Sequence, residues 1–459
     1  MRSELKSKDF YRKTLSLMAP IVLQQTINFG VNFLDNVMMG GFGEVQIAAV
    51  SFGNQFYSLF QYICMGLGSG VVVLSSQFWG RRELSAMKTV AAIALRLTLG
   101  ICLLFTVASV AWPEAIMRVF TNEIPIITAG TPYVRLIGLT FLFSGISSTI
   151  TYLLRSTGHI SIPFIGSAGA FVLNLFFNWV FIFGKFDAPR LEIVGAAVGT
   201  VIARAFEFCL VFGYFILKEK NFQFRWKDFL LPGSGLRRQY IKYGIPVLVS
   251  DTLLGTSLLL VSVITGHMGE EMAASSAMVN SVVQITNILN IGMAGAAAIV
   301  IGNTIGEGDI PKAKREGNSY MVLSLLYGLV MIGGLLLLEG PYMRLYTVSA
   351  ETARMVHGML LVNCAWLPIQ ANAYATSKGI LRGGGDTRFL MFADSSTIWF
   401  ISIPLGALAG FVWKLDPVWV YFFLRIEYPL KGIACIIRYC SGKWIKVITS
   451  ENRKESFSS

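Results

Sequence analysis

The sequence predicts an all-α polytopic membrane protein, with twelve transmembrane helices arranged as two pseudo-symmetric six-helix lobes. Three observations carry this expectation. Mean hydropathy is +0.61, and 54% hydrophobic against 14% charged residues excludes a soluble globular chain. Apolar stretches of about 20 residues recur along the whole length, each long enough to cross about 30 Å of hydrocarbon. The second half also repeats landmarks of the first. Gly43-Glu44, Ala48, Gly66, Gly80 and Lys88 return 226 residues later as Gly269-Glu270, Ala274, Gly292, Gly306 and Lys314. Continuous apolar runs argue for helices, because lipid-facing barrel strands alternate.

The first expected span, 15–39, contains Pro20 and one acid, Asp35. The second, 47–76, carries Gly66-Leu67-Gly68-Ser69-Gly70, a small-residue face on which helix backbones approach closely. Spans at 89–112 and 133–154 are apolar, and the latter closes on Leu154-Arg155-Ser156-Thr157-Gly158. Spans 161–183 and 195–217 complete the first set with Asn174, Asn178, Thr200, Arg204 and Glu207. The second set runs 243–265, 277–303, 319–338, 358–380, 389–412 and 417–437. Its second member repeats the small-residue face as Gly292-Met293-Ala294-Gly295, and Pro246 falls where Pro20 does. Gly383-Gly384-Gly385-Asp386-Thr387 lacks the Gly-Lys-Ser/Thr ending of a P-loop and reads as a tight turn.

Residues 1–217 are thus expected to form an N-terminal lobe and 243–459 a C-terminal lobe, joined by a basic linker at 218–242. Six spans per lobe is even, so both lobes enter the membrane in the same sense. The repeat is then parallel, about an axis along the membrane normal. With both termini inside, cytoplasmic segments hold 26 Lys and Arg against six in the opposite loops. This positive-inside bias predicts a multi-pass inner-membrane protein with cytoplasmic termini. The first span follows no small-residue cleavage site and reads as a retained anchor. A net charge of +12 suits anionic headgroups rather than nucleic acid, given where the basic residues lie. Six cysteines without a CxxC pair indicate neither a disulfide framework nor a metal cluster.

Asp35 falls on Val261 in the repeat, so the acid is unmatched. Asp35, Asn178 and Thr200 each lie about five residues from the outer end of a span, roughly 8 Å inside the boundary at about 1.5 Å per residue. Asn174 shares a helix face with Asn178, one turn deeper. An ionised carboxylate at that depth costs a few kcal/mol unless it binds a cation, takes a proton or meets water. Carboxylate, amide and hydroxyl oxygens are hard ligands suited to Na⁺, and protonation is the other way to remove the charge. A hydrogen-bonded knot that only fixes packing is the alternative. Arg204 and Glu207, three apart, are expected to neutralise each other. Asp251 has no evident partner and, with Gln25 and Asn28, is assigned to a cavity for cationic substrate. Asp394 and Lys378 are expected near the interface, where snorkelling suffices. No clustered His, Asp or Glu chemistry marks an enzyme, and no cofactor is expected.

Taken in order, these features resemble the multidrug and toxic compound extrusion (MATE) family. The resemblance rests on Pro20, Leu34-Asp35-Asn36-Val37-Met38-Met39-Gly40, Gly43-Glu44 and Ala48-Ala49-Val50-Ser51. It rests also on Leu154 to Gly158, Asn174-x3-Asn178, Gly195-Ala196-Ala197-Val198-Gly199-Thr200 and Leu381-Arg382 to Thr387, covering almost the whole chain. It implies a monomer that exports organic cations, drugs or related amphipathic compounds by Na⁺ or H⁺ antiport, with the cation on Asp35, Asn174, Asn178 and Thr200. Similar members carry a second aspartate where Asn178 stands, so one formal negative charge remains here. The family's span-ten acid position is Ala371 in this chain, so no second ion site is expected in the C-terminal lobe. Pro20 and Pro246 are expected to act as hinges. A flippase for lipid-linked oligosaccharides, similar in architecture, is the rival reading; it favours a cationic central cavity.

Overall fold

The computed structural model describes residues 8–39, 42–219, 223–233, 235–344 and 349–448. Gly40 and the basic residues of 1–7, 220–222 and 449–459 counted above lie outside the described residues. Every regular element among the described residues is helical. The first half contains α1 (Lys8–Met39), α2 (Glu44–Gly80), α3 (Leu84–Ala111), α4 (Pro113–Phe120), α5 (Ile124–Ser156), α6 (Ser161–Phe183) and α7 (Ile193–Leu217). A 3₁₀ turn, Trp226–Leu230, follows. The second half contains α8 (Leu236–His267), α9 (Glu270–Glu307), α10 (Ile310–Met343), α11 (Ala350–Tyr374), α12 (Thr387–Ser395), α13 (Ile403–Ala407), α14 (Pro417–Leu424) and α15 (Glu427–Cys440).

The helices outrun the hydropathic spans. α2 and α9 have 37 and 38 residues, about 55 Å at 1.5 Å per residue. Hydropathy marks only the apolar middle, whereas the backbone stays helical through the more polar residues at either end. Among the described residues, nine helices are long and apolar enough to cross a membrane. The other three expected spans correspond to α1, α11 and α14–α15. In α1 and α11, polar residues such as Gln24, Asn28, Asn363 and Gln370 depress the hydropathy. In α14–α15 the helix is broken into pieces of 8 and 14 residues, each too short to cross alone.

Two spans are less regular than expected. The eleventh is a composite in which π turns at Ser396–Ser402 and Leu408–Val412 flank α13. Pro404 has no N–H to donate, and the widened turns absorb the break in the ladder. The twelfth divides into α14 and α15. At the break, the Arg425 guanidinium donates to Asn280 Oδ1 at 2.9 Å and Tyr428 Oη at 3.3 Å. α4 was not expected. It begins on Pro113, carries the i,i+4 pair Glu114–Arg118 at 2.7 Å, and is too short for a hydropathy window.

Packing divides the chain into two compact units. One comprises Met1–Ala19, Ser76–Arg82 and Lys242–Ser459; the other comprises Pro20–Ser75 and Glu83–Ile241. α1 therefore changes unit at Pro20. In the second unit, α3, α5, α6 and α7 pack on one another, and Ala49, Val134, Ile182 and Ala197 belong to a buried core. Thr98 and Thr149 hydrogen-bond between α3 and α5 at 2.8 Å, using polar groups where lipid supplies no hydrophobic drive.

In the first unit, α9, α10, α11 and α14 enclose Val279, Met359, Leu367 and Tyr421. Here the repeat packs against itself. A Cβ on Gly80 would stand 2.0 Å from the Asn303 carbonyl oxygen, and one on Gly306 would stand 2.1 Å from the Gln77 carbonyl oxygen. Gly80 and Gly306 are equivalent, as are Gln77 and Asn303, so the close approach is reciprocal. The Gln77 side chain donates to the Gly383 and Lys446 carbonyls and accepts from the Ile448 amide. The glycine-rich turn is tight, with Gly385 at φ +85°, a left-handed geometry that glycine adopts without steric cost.

Candidate cation site and buried polar chains

Three helices of one unit bring the polar residues of the first half together. Asp35 on α1 is partly buried, and its Oδ1 accepts from Asn178 Nδ2 at 2.6 Å. The same amide donates to Asn174 Oδ1 at 3.3 Å, and Asn174 Nδ2 donates to Thr200 Oγ1 at 3.3 Å. Thr200 Oγ1 in turn donates to the Ala196 carbonyl at 2.9 Å. Asn178 is fully buried, yet among the described residues its Oδ1 accepts no hydrogen bond. An acceptor left unpaired at that depth costs about 1–3 kcal/mol. Gly199 makes the room: a Cβ there would come within 2.2 Å of that oxygen. A carboxylate, two amide oxygens and a hydroxyl thus lie along one hydrogen-bonded chain, a donor set that fits a hard monovalent cation or a proton.

A second chain lies on the same helix faces. Gln24, Asn28 and Asp35 are spaced 4 and 7 apart on α1, while Ser167, Asn174 and Asn178 are spaced 7 and 4 on α6. Arg204 donates to Glu207 at 2.7 Å, as their spacing predicts, and Ser167 Oγ donates to the other Glu207 oxygen at 2.7 Å. Gln24 bridges the Ser167 hydroxyl, at 2.8 Å, and the Arg155 guanidinium, at 2.5 Å. Sequence reasoning found the Arg204–Glu207 pair but not Gln24, Ser167 or Arg155. The four-residue gap between Gln24 and Asn28, repeated as a polar face, was the available signal.

Gln25 and Asn28 are partly buried and bond each other at 3.4 Å along α1. Asp251 was assigned to the same cavity as a residue without a partner, and the structure corrects this. It is fully buried, and its carboxylate accepts both guanidinium nitrogens of Arg382 at 3.1 and 2.8 Å and Lys378 Nζ at 2.7 Å. The partners lie some 130 residues away, beyond any local sequence pattern. Lys378 and Asp394, expected to be solvated near the interface, are instead 6% and 2% exposed. Lys378 Nζ lies 2.8 Å from Asp394 Oδ2, and Lys431 Nζ lies 3.1 Å from Asp394 Oδ1. Ser250 Oγ donates to Asp394 at 2.7 Å. Among the described residues, no group of three or more His, Cys, Asp or Glu is placed to hold a metal.

Comparison with known proteins places these residues in context. A family model described as MatE matches residues 20–180 and 246–408. The two matched stretches begin at Pro20 and Pro246. The probable multidrug resistance protein NorM of Thermotoga maritima is 23% identical over 461 residues, covering 98% of this chain and 96% of its own. The probable multidrug resistance protein YoeA of Bacillus subtilis is 24% identical, covering 91% of each. The fold is similar to that of a MOP superfamily transporter from Pyrococcus furiosus, at TM-score 0.85, 16% identity and 98% coverage of both chains. It is also similar to the outward-facing conformation of a multidrug resistance MATE family transporter, at TM-score 0.84 with the same identity and coverage.

Proposed function

Because the chain belongs to the MatE family, we propose that it is a secondary active multidrug exporter of the inner membrane, exchanging organic cations or related amphipathic compounds for Na⁺ or H⁺. The observation that carries this reading is the hydrogen-bonded chain Asp35–Asn178–Asn174–Thr200 with its unpaired Asn178 oxygen. Relatives named as multidrug resistance proteins along the full length support the substrate class. In the cycle, an external cation joins Asp35 and favours substrate release; the loss of that cation inward accompanies substrate binding from the cytoplasm. Residues 1–217 and 243–459 act as the alternating lobes, with 218–242 as linker and both termini cytoplasmic. Exchange requires that each ligand favour a different state, since equal binding to both moves no equilibrium.

The test is transport by purified protein in proteoliposomes loaded with a fluorescent organic cation. Uphill export is expected when a Na⁺ or H⁺ gradient is imposed, and which gradient drives it names the ion. Flux that equilibrates substrate without responding to either gradient rules out antiport.

Pro20 and Pro246 are proposed as hinges. Each removes a backbone hydrogen bond from the helix that opens its half, and α1 changes packing unit at Pro20. Pro20→Ala restores a donor worth about 0.5–1.5 kcal/mol. Turnover is therefore expected to fall about 2- to 10-fold, and unchanged turnover removes the hinge from the cycle.

The flippase reading gains one observation that composition had argued against. Lys378, Arg382, Arg425 and Lys431 are buried in the second half. Lys378, Arg382 and Lys431 are ion-paired to Asp251 or Asp394, and Arg425 is held by Asn280 and Tyr428, which leaves the drug-export reading the better supported.

A further inference from the structure

The duplication also copies a set of buried and partly buried polar positions, and the copies differ in charge. With the offset of 226 in the first helix and 227 from the fourth onward, Gln24, Gln25, Thr151, Arg155, Ser167 and Arg204 correspond to Ser250, Asp251, Lys378, Arg382, Asp394 and Lys431. Four of the first-half residues, Gln24, Arg155, Ser167 and Arg204, are joined by hydrogen bonds and a single ion pair, Arg204–Glu207. The second-half set holds two carboxylates and three cations.

Two of those cations pair with the two acids. Arg382 grips Asp251 through two nitrogens, and Lys431 lies 3.1 Å from Asp394. Lys378 is the third, and a third, partly buried acid, Glu427, interacts electrostatically with both Lys431 and Lys378. The Lys378 ammonium lies 2.7 Å from Asp251 Oδ1, 2.8 Å from Asp394 Oδ2 and 3.2 Å from Ser250 Oγ. Three oxygens from α8 and α12 therefore surround one compact monovalent charge. The lysine sits in the π turn Ala375–Leu381, which widens the end of α11. Beside it, Thr376 Oγ1 and Ser377 Oγ are fully buried and have no hydrogen-bond partner among the described residues, and π turns recur at functional sites in helices. Burying an ammonium costs several kcal/mol unless acids surround it, and Asp251, Asp394 and Glu427 do so here.

We propose that the Lys378 ammonium is a tethered cation: it fills a second monovalent-cation position, made by Asp251, Asp394 and Ser250, and so confines binding of the coupling ion to the first half. Only the last clause rests on the antiport reading; the latent site stands on its own geometry. Removing the Lys378 charge leaves three acids, Asp251, Asp394 and Glu427, against Arg382 and Lys431 around the oxygen cage. A free Na⁺ entering that cage restores the original charge with hard oxygen ligands. Lysine suits the tether because its charge is a point on a flexible stem.

The experiment measures radioactive Na⁺ bound per purified, detergent-solubilised full chain by scintillation proximity. Lys378→Ala is expected to gain one Na⁺ per chain over its parent, in the native and Asp35→Asn backgrounds alike. Lys378→Gln, which fills more of the space, gains the same site with weaker affinity and serves where the alanine variant is not monodisperse. Lys378→Arg and the double variant Lys378→Ala with Asp251→Asn gain none. Unchanged stoichiometry in a monodisperse Lys378→Ala or Lys378→Gln protein overturns the proposal, as does an equal gain in Lys378→Arg. The Asp35→Asn background separates the two ideas: a chain that still transports normally there refutes the coupling role of Asp35, whereas the added Na⁺ is read independently of transport.

Discussion

Asp35→Asn is expected to lower gradient-driven export by about 5- to 150-fold, the range of a typical coupling free energy of 1–3 kcal/mol, while the protein stays folded. Asparagine matches the carboxylate in shape and keeps an oxygen to accept from Asn178, so the local hydrogen-bonded chain survives. What disappears is the one formal charge in that chain, since Asn178, Asn174 and Thr200 are neutral. A cation then has dipoles to bind but no counter-charge, and a proton has no base to join. The variant should still bind substrate and run down a substrate gradient, because only the linkage to the ion is cut. The measurement is uphill export in proteoliposomes under imposed Na⁺ and H⁺ gradients, with Asp35→Glu as a partial retention of function. Full uphill export by Asp35→Asn removes this carboxylate from the coupling mechanism.

Asp251→Ala should be the most destabilising of the substitutions considered, at about 3–5 kcal/mol, the usual loss when one partner of a buried ion pair is removed. The Arg382 guanidinium would lose both of its bonds to this carboxylate while remaining buried, and Lys378 would keep only Asp394 and Ser250. Thermal unfolding in detergent, followed by intrinsic fluorescence, should show Tm lower by about 5 °C or more. Adding Arg382→Met should recover part of the loss, because the orphaned charge goes with it and neighbours couple non-additively. A Tm unchanged by Asp251→Ala means that water reaches this network.

How much of this was legible in the chain depended on distance along it. Hydropathy and the repeat located twelve spans, because each is a local property of about 20 residues. Helix length was not legible, since α2 and α9 continue past the apolar window into residues of ordinary polarity. The π turns around Pro404 were missed for the opposite reason, since their residues are apolar enough to pass as regular helix. The break at Arg425 was missed because the partner that holds it, Asn280, lies 145 residues away. The grouping of Asp35, Asn174, Asn178 and Thr200 came from depth, which sequence position encodes through the helical rise. Depth says nothing of azimuth, and so the Gln24–Ser167–Glu207 chain went unseen. Asp251 was misread because its partners lie some 130 residues away, and Lys378 and Asp394 because each pairs with residues on other helices, which leave no trace in local spacing. The repeat offset did hold a clue, since it aligns Lys378 and Asp394 with the buried Thr151 and Ser167.

The reciprocal glycine crossing sets a limit on ancestry. After a duplication, two gene segments normally drift apart freely, and the unmatched Asp35 and Val261 record such drift. Gly80 and Gly306 cannot follow, because each must stay bare to admit the backbone that its twin's helix contributes. A methyl group gained in either copy strikes a carbonyl in the other, so a change in one cannot be absorbed by its own half. At this point the two descendants inherit as one locus.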